Sequence, residues 1–166
     1  MKNAQRCILL AALCCATPLH AKDWQAGKGS SLGFASSFQG EAFTGEFKRF
    51  TPKIRFDPDD LPASRFDVRI DLASVDSRNA ERDDTLKTGD FFDVARHPLA
   101  TFVSTGCEAI EGATPGRPNF RLRGTFTLRG ISRPLDFPIV AAAAGERVTG
   151  QAQISLNRTV FGSHYG

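Results

Sequence analysis

A chain of 166 residues, 41% of them hydrophobic, has the material for one globular domain with a sizeable core. Its formal net charge of +3 is too small to argue for a nucleic-acid partner or a strongly anionic one. No stretch is apolar over the ~20 residues that a membrane-spanning helix needs.

The first element reads as a leader. Lys2 and Arg6 form a positive n-region, and Cys7 to Ala16 is an apolar run without a polar face. Pro18 breaks it, and Leu19-His20-Ala21 places cleavage after Ala21, so residues 22–166 are expected to be exported as one domain. Leu13 before Cys14, and Cys14 before Cys15, do not offer the small residue that lipoprotein processing would want. Without the leader the net charge falls to +1 and Cys107 stands alone. An intrachain disulfide or a metal site built on cysteines is thereby excluded.

Alternation with period two then dominates. Leu32, Phe34 and Phe38 mark a first strand, and Ile54 with Phe56 a second, shorter one. Asp57-Pro58-Asp59-Asp60-Leu61-Pro62 is a turn. From Arg65 to Leu72, Phe66, Val68, Ile70 and Leu72 fall on one face, with Arg65, Asp67, Arg69 and Asp71 on the other. Between Asp76 and Asp93 the pattern changes to a short helix. Ser77 or Asn79 can cap its start, Glu81, Asp83 and Asp84 suit its first turn, and Gly89 can stop it. It is expected to lie across one end of the strands with Leu86, Phe91, Phe92 and Val94 pointing in.

Gly112 to Asn119 is a polar, proline-rich loop. Phe120, Leu122, Phe126 and Leu128 make another inward row, Arg129-Gly130-Ile131-Ser132 a tight hairpin, and Leu135, Phe137 and Ile139 the next row. Gly145-Glu146 suggests a further hairpin, after which Val148, Ala152, Ile154 and Leu156 point inward. Seven or eight antiparallel strands, each with one apolar face, make an all-β fold, either a sandwich or a closed barrel.

Fourteen phenylalanines stand against one tryptophan and one tyrosine. Phe34, Phe38, Phe43, Phe47, Phe50, Phe66, Phe102, Phe126 and Phe137 lie at or beside inward positions. Walls so poor in hydroxyl groups suit a long hydrocarbon, although the same rings would also serve a filled core. Inward Gly33, Ser36, Gly124, Gly150 and Ala152 would leave room beside large rings, which favours a cavity.

Asp76, D-D-T-L at Asp83 to Leu86, D-F-F-D-V-A-R-H-P at Asp90 to Pro98, A-T-F at Ala100 to Phe102, G-T-F-T-L-R-G-I-S-R-P-L at Gly124 to Leu135 and N-R-T-V-F-G at Asn157 to Gly162 occur in that order. Together they resemble the YceI-like family. The resemblance implies a lipocalin-like antiparallel barrel with one short helix at an end, located in the bacterial periplasm. It further implies a non-catalytic carrier for a polyisoprenoid or other long-chain amphiphile, quinones included, with no cofactor required. The family pattern runs past R-x-x-F-G into a further strand, whereas this sequence stops at Gly166. A fragment lacking its last strand is therefore expected, with an open barrel edge as the alternative.

On this reading Phe34, Phe38, Phe47, Phe66, Ile70, Phe91, Phe92, Phe102, Phe126, Leu128, Phe137 and Ile154 wall the ligand, and Arg158 of the R-x-x-F-G motif is the preferred headgroup contact. Asp76, Arg82, Asp90 and Asp93 could form a polar collar at the mouth, or could simply cap and brace the helix. Arg129 and Arg133 flank a hairpin, where solvated charge is the ordinary role. His97 and His164 alone make no metal site. The partner is a hydrophobic small molecule; transient membrane contact and a homodimer are compatible with it. Two other functions stay open. One is an enzyme acting on a lipid headgroup through Asp90, Asp93 or His97, and the other a structural or stress-related interaction module with a filled core.

Overall fold

The computed structural model describes residues 22–24, 26–38, 40–114, 119–144 and 147–163. The expected leader, the 145–146 turn and residues 115–118 of the proline-rich loop lie outside the described residues. Ten strands are present among them: β1 (Lys22–Trp24), β2 (Gly33–Phe38), β3 (Glu41–Phe47), β4 (Phe50–Phe56), β5 (Arg65–Asp71), β6 (Val75–Asp76), β7 (Leu99–Ala109), β8 (Phe120–Leu128), β9 (Ile131–Ala144) and β10 (Arg147–Ala152). One helix, α1 (Ala80–Lys87), sits between β6 and β7.

Every pairing is antiparallel. Seven strands form one sheet in the order β1-β4-β5-β7-β8-β9-β10, and three form another in the order β2-β3-β6. The two sheets are stretches of one curved surface. β3 runs into β4 with only Lys48 and Arg49 between them, and β5 runs into β6 through a 3-10 turn over Leu72–Ser74. At the bend the Lys48 amide donates to the Ser74 carbonyl at 3.0 Å and the Asp71 amide to the Arg49 carbonyl at 3.0 Å. The buried Ser74 hydroxyl accepts from the Arg49 amide at 2.9 Å and donates to the Asp71 carbonyl at 2.6 Å. A single two-stranded ribbon thus turns a corner, and the result is a nearly closed antiparallel barrel with one helix.

The alternation read from the sequence is realised in β5, where Phe66 and Ile70 are buried and Arg65 and Arg69 exposed, and in β8, where Leu122, Gly124 and Phe126 are buried. β7 shows why sequence alternation passed it over. Leu99 and Val103 face outward and are exposed, while Ala100, Phe102 and the polar Ser104 face inward. A bulge between Ser104 and Gly106 then shifts the parity, so that Cys107 rather than Gly106 is buried. Ser104 is satisfied across the sheet, its hydroxyl accepting from the Phe66 amide at 2.7 Å.

The tight hairpin between β8 and β9 forms as expected. Arg129 and Gly130 carry φ values of 53° and 71°, the double left-handed turn that matches strand twist, and Leu128 pairs with Ile131. The last inward row differs from expectation. β10 ends at Ala152, having paired only with Ile139–Ala144, and Ile154 and Leu156 are 41% and 45% exposed. Pro138 and Pro134 supply a physical reason. The β8 ladder continues past both prolines, so their missing N–H groups belong to the opposite edge of β9, the edge along which β10 would have had to continue.

Among the described residues, thirteen buried ones form the main core, six of them phenylalanine. Phe102 meets Phe137 at 5.3 Å between ring centroids, Phe56 meets Phe66 at 5.7 Å, and Phe126 meets Phe161 edge-on at 5.5 Å. The small inward residues do not all leave space. A Cβ on Gly124 would stand 2.6 Å from the Phe102 ring and 2.5 Å from the Val103 carbonyl oxygen, and one on Gly45 would stand 2.6 Å from the Phe34 ring. Rings lie over these glycines. Gly33, Gly150 and Ala152 are exposed; of the small residues named from the sequence, Ser36 borders a cavity beside the helix and Gly33 a second, more polar one.

Two outcomes follow from this core. Gly124→Ala forces the Val103 backbone or the Phe102 ring to move and should cost about 1–3 kcal/mol, seen as a lowered Tm; an unchanged Tm would mean the sheet relaxes freely there. Burial pushes the Cys107 thiol up to about 11, with the neighbouring Glu108 charge adding to the effect. At pH 8 iodoacetamide should therefore leave the Cys107 peptide unlabelled until denaturant is added, as peptide mapping would show.

Candidate functional site

The site grows from the helix. Asn79 caps α1, its side-chain oxygen accepting from the Arg82 amide at 3.0 Å, and Glu81 and Asp83 place negative charge in the first turn. Thr88 ends the helix, its hydroxyl donating to the Thr85 carbonyl at 2.7 Å. Ser77, a candidate cap, does other work. It is buried, its amide donates to Asp83 at 2.8 Å, and its hydroxyl and carbonyl each accept from Arg82 at 2.8 Å. Arg82 is thereby held with its guanidinium 4.4 Å from the Phe43 ring centroid.

α1 buries only Leu86. With Val75 and Phe91 it forms a second, smaller cluster, against which Phe34, Phe43, Phe47 and Phe92 pack. Phe47 and Phe92 also pack against the main core, so the two clusters are continuous. Between β2, β3 and α1 lies a cavity of about 240 Å³. Phe43, Leu86 and Phe91 are its apolar lining; Ser36, Ser37, Asn79, Glu81, Arg82, Thr85 and Arg158 are its polar lining.

Arg158 arrives from the far end of the chain on a 3-10 turn (Arg158–Phe161). The Asn157 side chain caps that turn by accepting from the Thr159 amide at 3.0 Å, and Gly162 ends it at φ 73°. Phe161 buries itself against Phe126, and the Ser163 hydroxyl donates to the Asp90 carbonyl at 3.1 Å. Arg129 closes the same region. Its Nη1 donates to the carbonyls of Gly89 and Phe91, fastening the loop after α1 to the β8–β9 hairpin. The expected solvated charge is thus a clamp.

The expected wall residues fall into groups. Phe66, Ile70, Phe102, Phe126 and Phe137 are in the main core, with Phe47, Phe92 and Leu128 packed on it. Phe34 lies over Gly45 and 5.3 Å from Phe47. Phe38 belongs to β2, and its side chain is outside the described residues. Phe91 and Arg158 border the cavity. Ile154 stands apart, exposed beyond the end of β10.

Of the suggested collar, only Arg82 lines the cavity. Asp76 instead receives the Arg78 amide and pairs with Lys48 at 3.3 Å, contacts that hold its carboxyl below the usual value of 3.8. Asp93 faces Arg96 at 3.8 Å, and Arg133 is exposed and turned to the Ser132 carbonyl at 3.2 Å. Ser36, Ser37, Asn79, Glu81 and Thr85 border the cavity as well. Ser36 was marked from the sequence as a small inward residue; alternation did not mark the other four, because they meet only when β2 folds over α1. Among the described residues no group of three His, Cys, Asp or Glu side chains is placed to hold a metal ion, and no helix is long and apolar enough to cross a membrane.

The model of the YceI-like domain matches residues 25–166. The chain belongs to the YceI-like family. A UPF0312 protein of Azotobacter vinelandii is 36% identical over 110 residues, which are 66% of this chain and 55% of that protein. A UPF0312 protein of a Shewanella species is 36% identical over 121 residues, covering 72% of this chain and 60% of that one. The chain therefore spans little more than half the length of these curated relatives. Among solved structures, Burkholderia cenocepacia BcnA matches with a TM-score of 0.70 at 26% identity, over 79% of each chain. A polyisoprenoid-binding domain from Saccharophagus degradans matches with a TM-score of 0.63 over 86% of this chain and 81% of that one. At 18% identity that likeness shows the fold alone.

The Arg129 clamp is testable. Arg129→Met removes two charge-assisted hydrogen bonds and should destabilise the protein by about 1–3 kcal/mol, with faster amide exchange confined to residues 88–93. Unchanged exchange in that loop would show that other contacts hold it.

Proposed function

We propose that this YceI-like chain is a non-catalytic periplasmic carrier that takes an isoprenoid lipid or quinone by its hydrocarbon chain. One observation carries the reading. The apolar floor of the α1 cavity, formed by Phe43, Leu86 and Phe91, is continuous with the ring-lined barrel core through Phe47 and Phe92. An amphiphile with its head at the cavity would direct its tail toward these rings, and none of them offers a hydroxyl to be left unpaired. The leader expected at residues 1–21 supports the compartment, and a polyisoprenoid-binding domain of the same fold supports the ligand class.

The cavity of about 240 Å³ is small for a long chain. Loading would require Phe47, Phe92 or the rings beneath them to turn aside. The close ring contacts of the interior favour a second reading, an interaction module whose core stays filled. Native preparation separates the two. Protein made in a bacterial envelope and extracted with organic solvent should yield an isoprenoid or quinone by mass spectrometry. Repeatedly empty preparations that also take up neither polyprenol nor ubiquinone would sink the carrier reading. Turnover of the lipid headgroup in such preparations would make the protein an enzyme instead.

A further inference from the structure

The barrel wall is least bonded just beyond β10. That strand pairs with β9 from Arg147 opposite Ala144 to Ala152 opposite Ile139, and among the described residues no strand pairs with its other edge. Continuing the same register would set Gln153 opposite Pro138, Ser155 opposite Asp136 and Asn157 opposite Pro134. Ile139 and Ala141 turn their backbone groups to Asn119 on the β8 side, so the alternate positions 134, 136 and 138 face the β10 side. Two of these three are prolines with no N–H to donate, and the ladder stops. Among the described residues, 153–156 form no hydrogen bond, and all of 153–157 is exposed.

Ile154 and Leu156 continue the parity of Val148, which packs against the main core, as do Phe137 and Leu135 opposite. They are nonetheless 41% and 45% exposed. Both ends of the stretch are fixed. The Ala152–Ile139 pair stands before it, and after it comes the Asn157-capped turn with Phe161 buried against Phe126. A span held at its ends and unbonded between them opens at lower cost than a ladder-bound wall. The helical mouth is better secured, by Arg129 on the carbonyls of Gly89 and Phe91 and by Arg82 on Ser77.

We propose that residues 153–157 are a strap that swings off the β9 edge and admits the hydrocarbon chain of the ligand sideways. The chain passes between Leu135 and Phe137 on one flank and Ile154 and Leu156 on the other, and does not thread the helical mouth. Pro134 and Pro138 keep the strap from zipping shut. The inference rests on the carrier reading and adds a route of entry to it. Opening breaks no backbone hydrogen bond of the strap, whose amides already face water, and closing over a bound chain returns Ile154 and Leu156 to apolar contact.

Hydrogen exchange on the lipid-free full chain is the first measurement. Amides of 153–157 should exchange about tenfold or more faster than those of 88–93 and of β8, and loading with a pyrene-labelled polyprenol should slow them. The second measurement uses Pro134→Thr combined with Pro138→Val, which returns two donors to the β9 edge and should extend the ladder to Asn157. Stopped-flow fluorescence should then show uptake and release of the labelled polyprenol both slowed about tenfold or more, with Kd changed less than about twofold, because a closed strap is stabilised equally with and without the chain. Arg129→Met, which loosens the mouth, should leave both rates as they are.

Faster uptake in Arg129→Met, with unchanged rates in the proline variant, would place entry at the helical mouth and overturn the strap. Protection of 153–157 equal to that of 88–93 in the lipid-free chain would overturn it too, and that result decides even where the proline variant does not fold. A labelled polyprenol that never binds, although 153–157 exchanges fast, would instead remove the carrier reading and the entry route with it.

Discussion

The bend at residues 47–50, opposite 71–75, is the constraint on which the rest of this structure depends. Two strands change direction together there, and every backbone group released from the ladder has to find a partner. Ser74 supplies much of the answer. Its hydroxyl accepts from the Arg49 amide and donates to the Asp71 carbonyl, while its own carbonyl accepts from Lys48. A buried amide without a partner costs on the order of 1–3 kcal/mol, so the corner exists only because a small hydroxyl side chain sits inside it. Beyond the corner, β3 pairs with β6 and brings β2 with it. α1 follows β6 directly, which places its capped end beside Ser36, Ser37 and Phe43. Without the bend there would be a sheet but no cavity.

The interior is governed by a different economy of space. Phenylalanine is large, flat and without polar atoms, and glycine is the one residue that lets a ring lie against a neighbouring strand. Phe102 over Gly124 and Phe34 over Gly45 are two uses of that fit. Glycine opposite phenylalanine therefore does not signal a hollow. The space removed from one side chain is occupied by another, and the cavity with the apolar lining lies at the helical end.

Charged groups divide by the same geometry. On the outer face of β7, β8 and β9, Arg123 meets Glu108 and Asp136, and Arg121 meets Asp136, so each charge is answered on an exposed surface. Solvent screens such pairs, so they contribute little to stability. Inside the curve, Arg129 spends its donors on the carbonyls of Gly89 and Phe91, and Arg82 on Ser77. Arg158 is the exception. Among the described residues its side chain shares neither arrangement and borders the cavity instead.

Several elements were legible in the residues alone. Period-two rows at 65–71 and 120–128, the Arg129-Gly130 turn and the Asn79-capped helix are local features, each decided within a few residues by side-chain alternation, backbone φ or a cap. β7 was less legible because a bulge reversed its parity midway, and Ile154 misled because alternation continues past the point where prolines stop β9 from offering a ladder. The sequence by itself determined the strand-rich class, the short helix and the phenylalanine-rich inner face, since these follow from local period and composition. Only the tertiary structure decided where the empty space lies and which arginines face it. Ser36, Arg82 and Arg158 are far apart along the chain, and their meeting depends on a corner and a hairpin clamp that no local pattern encodes.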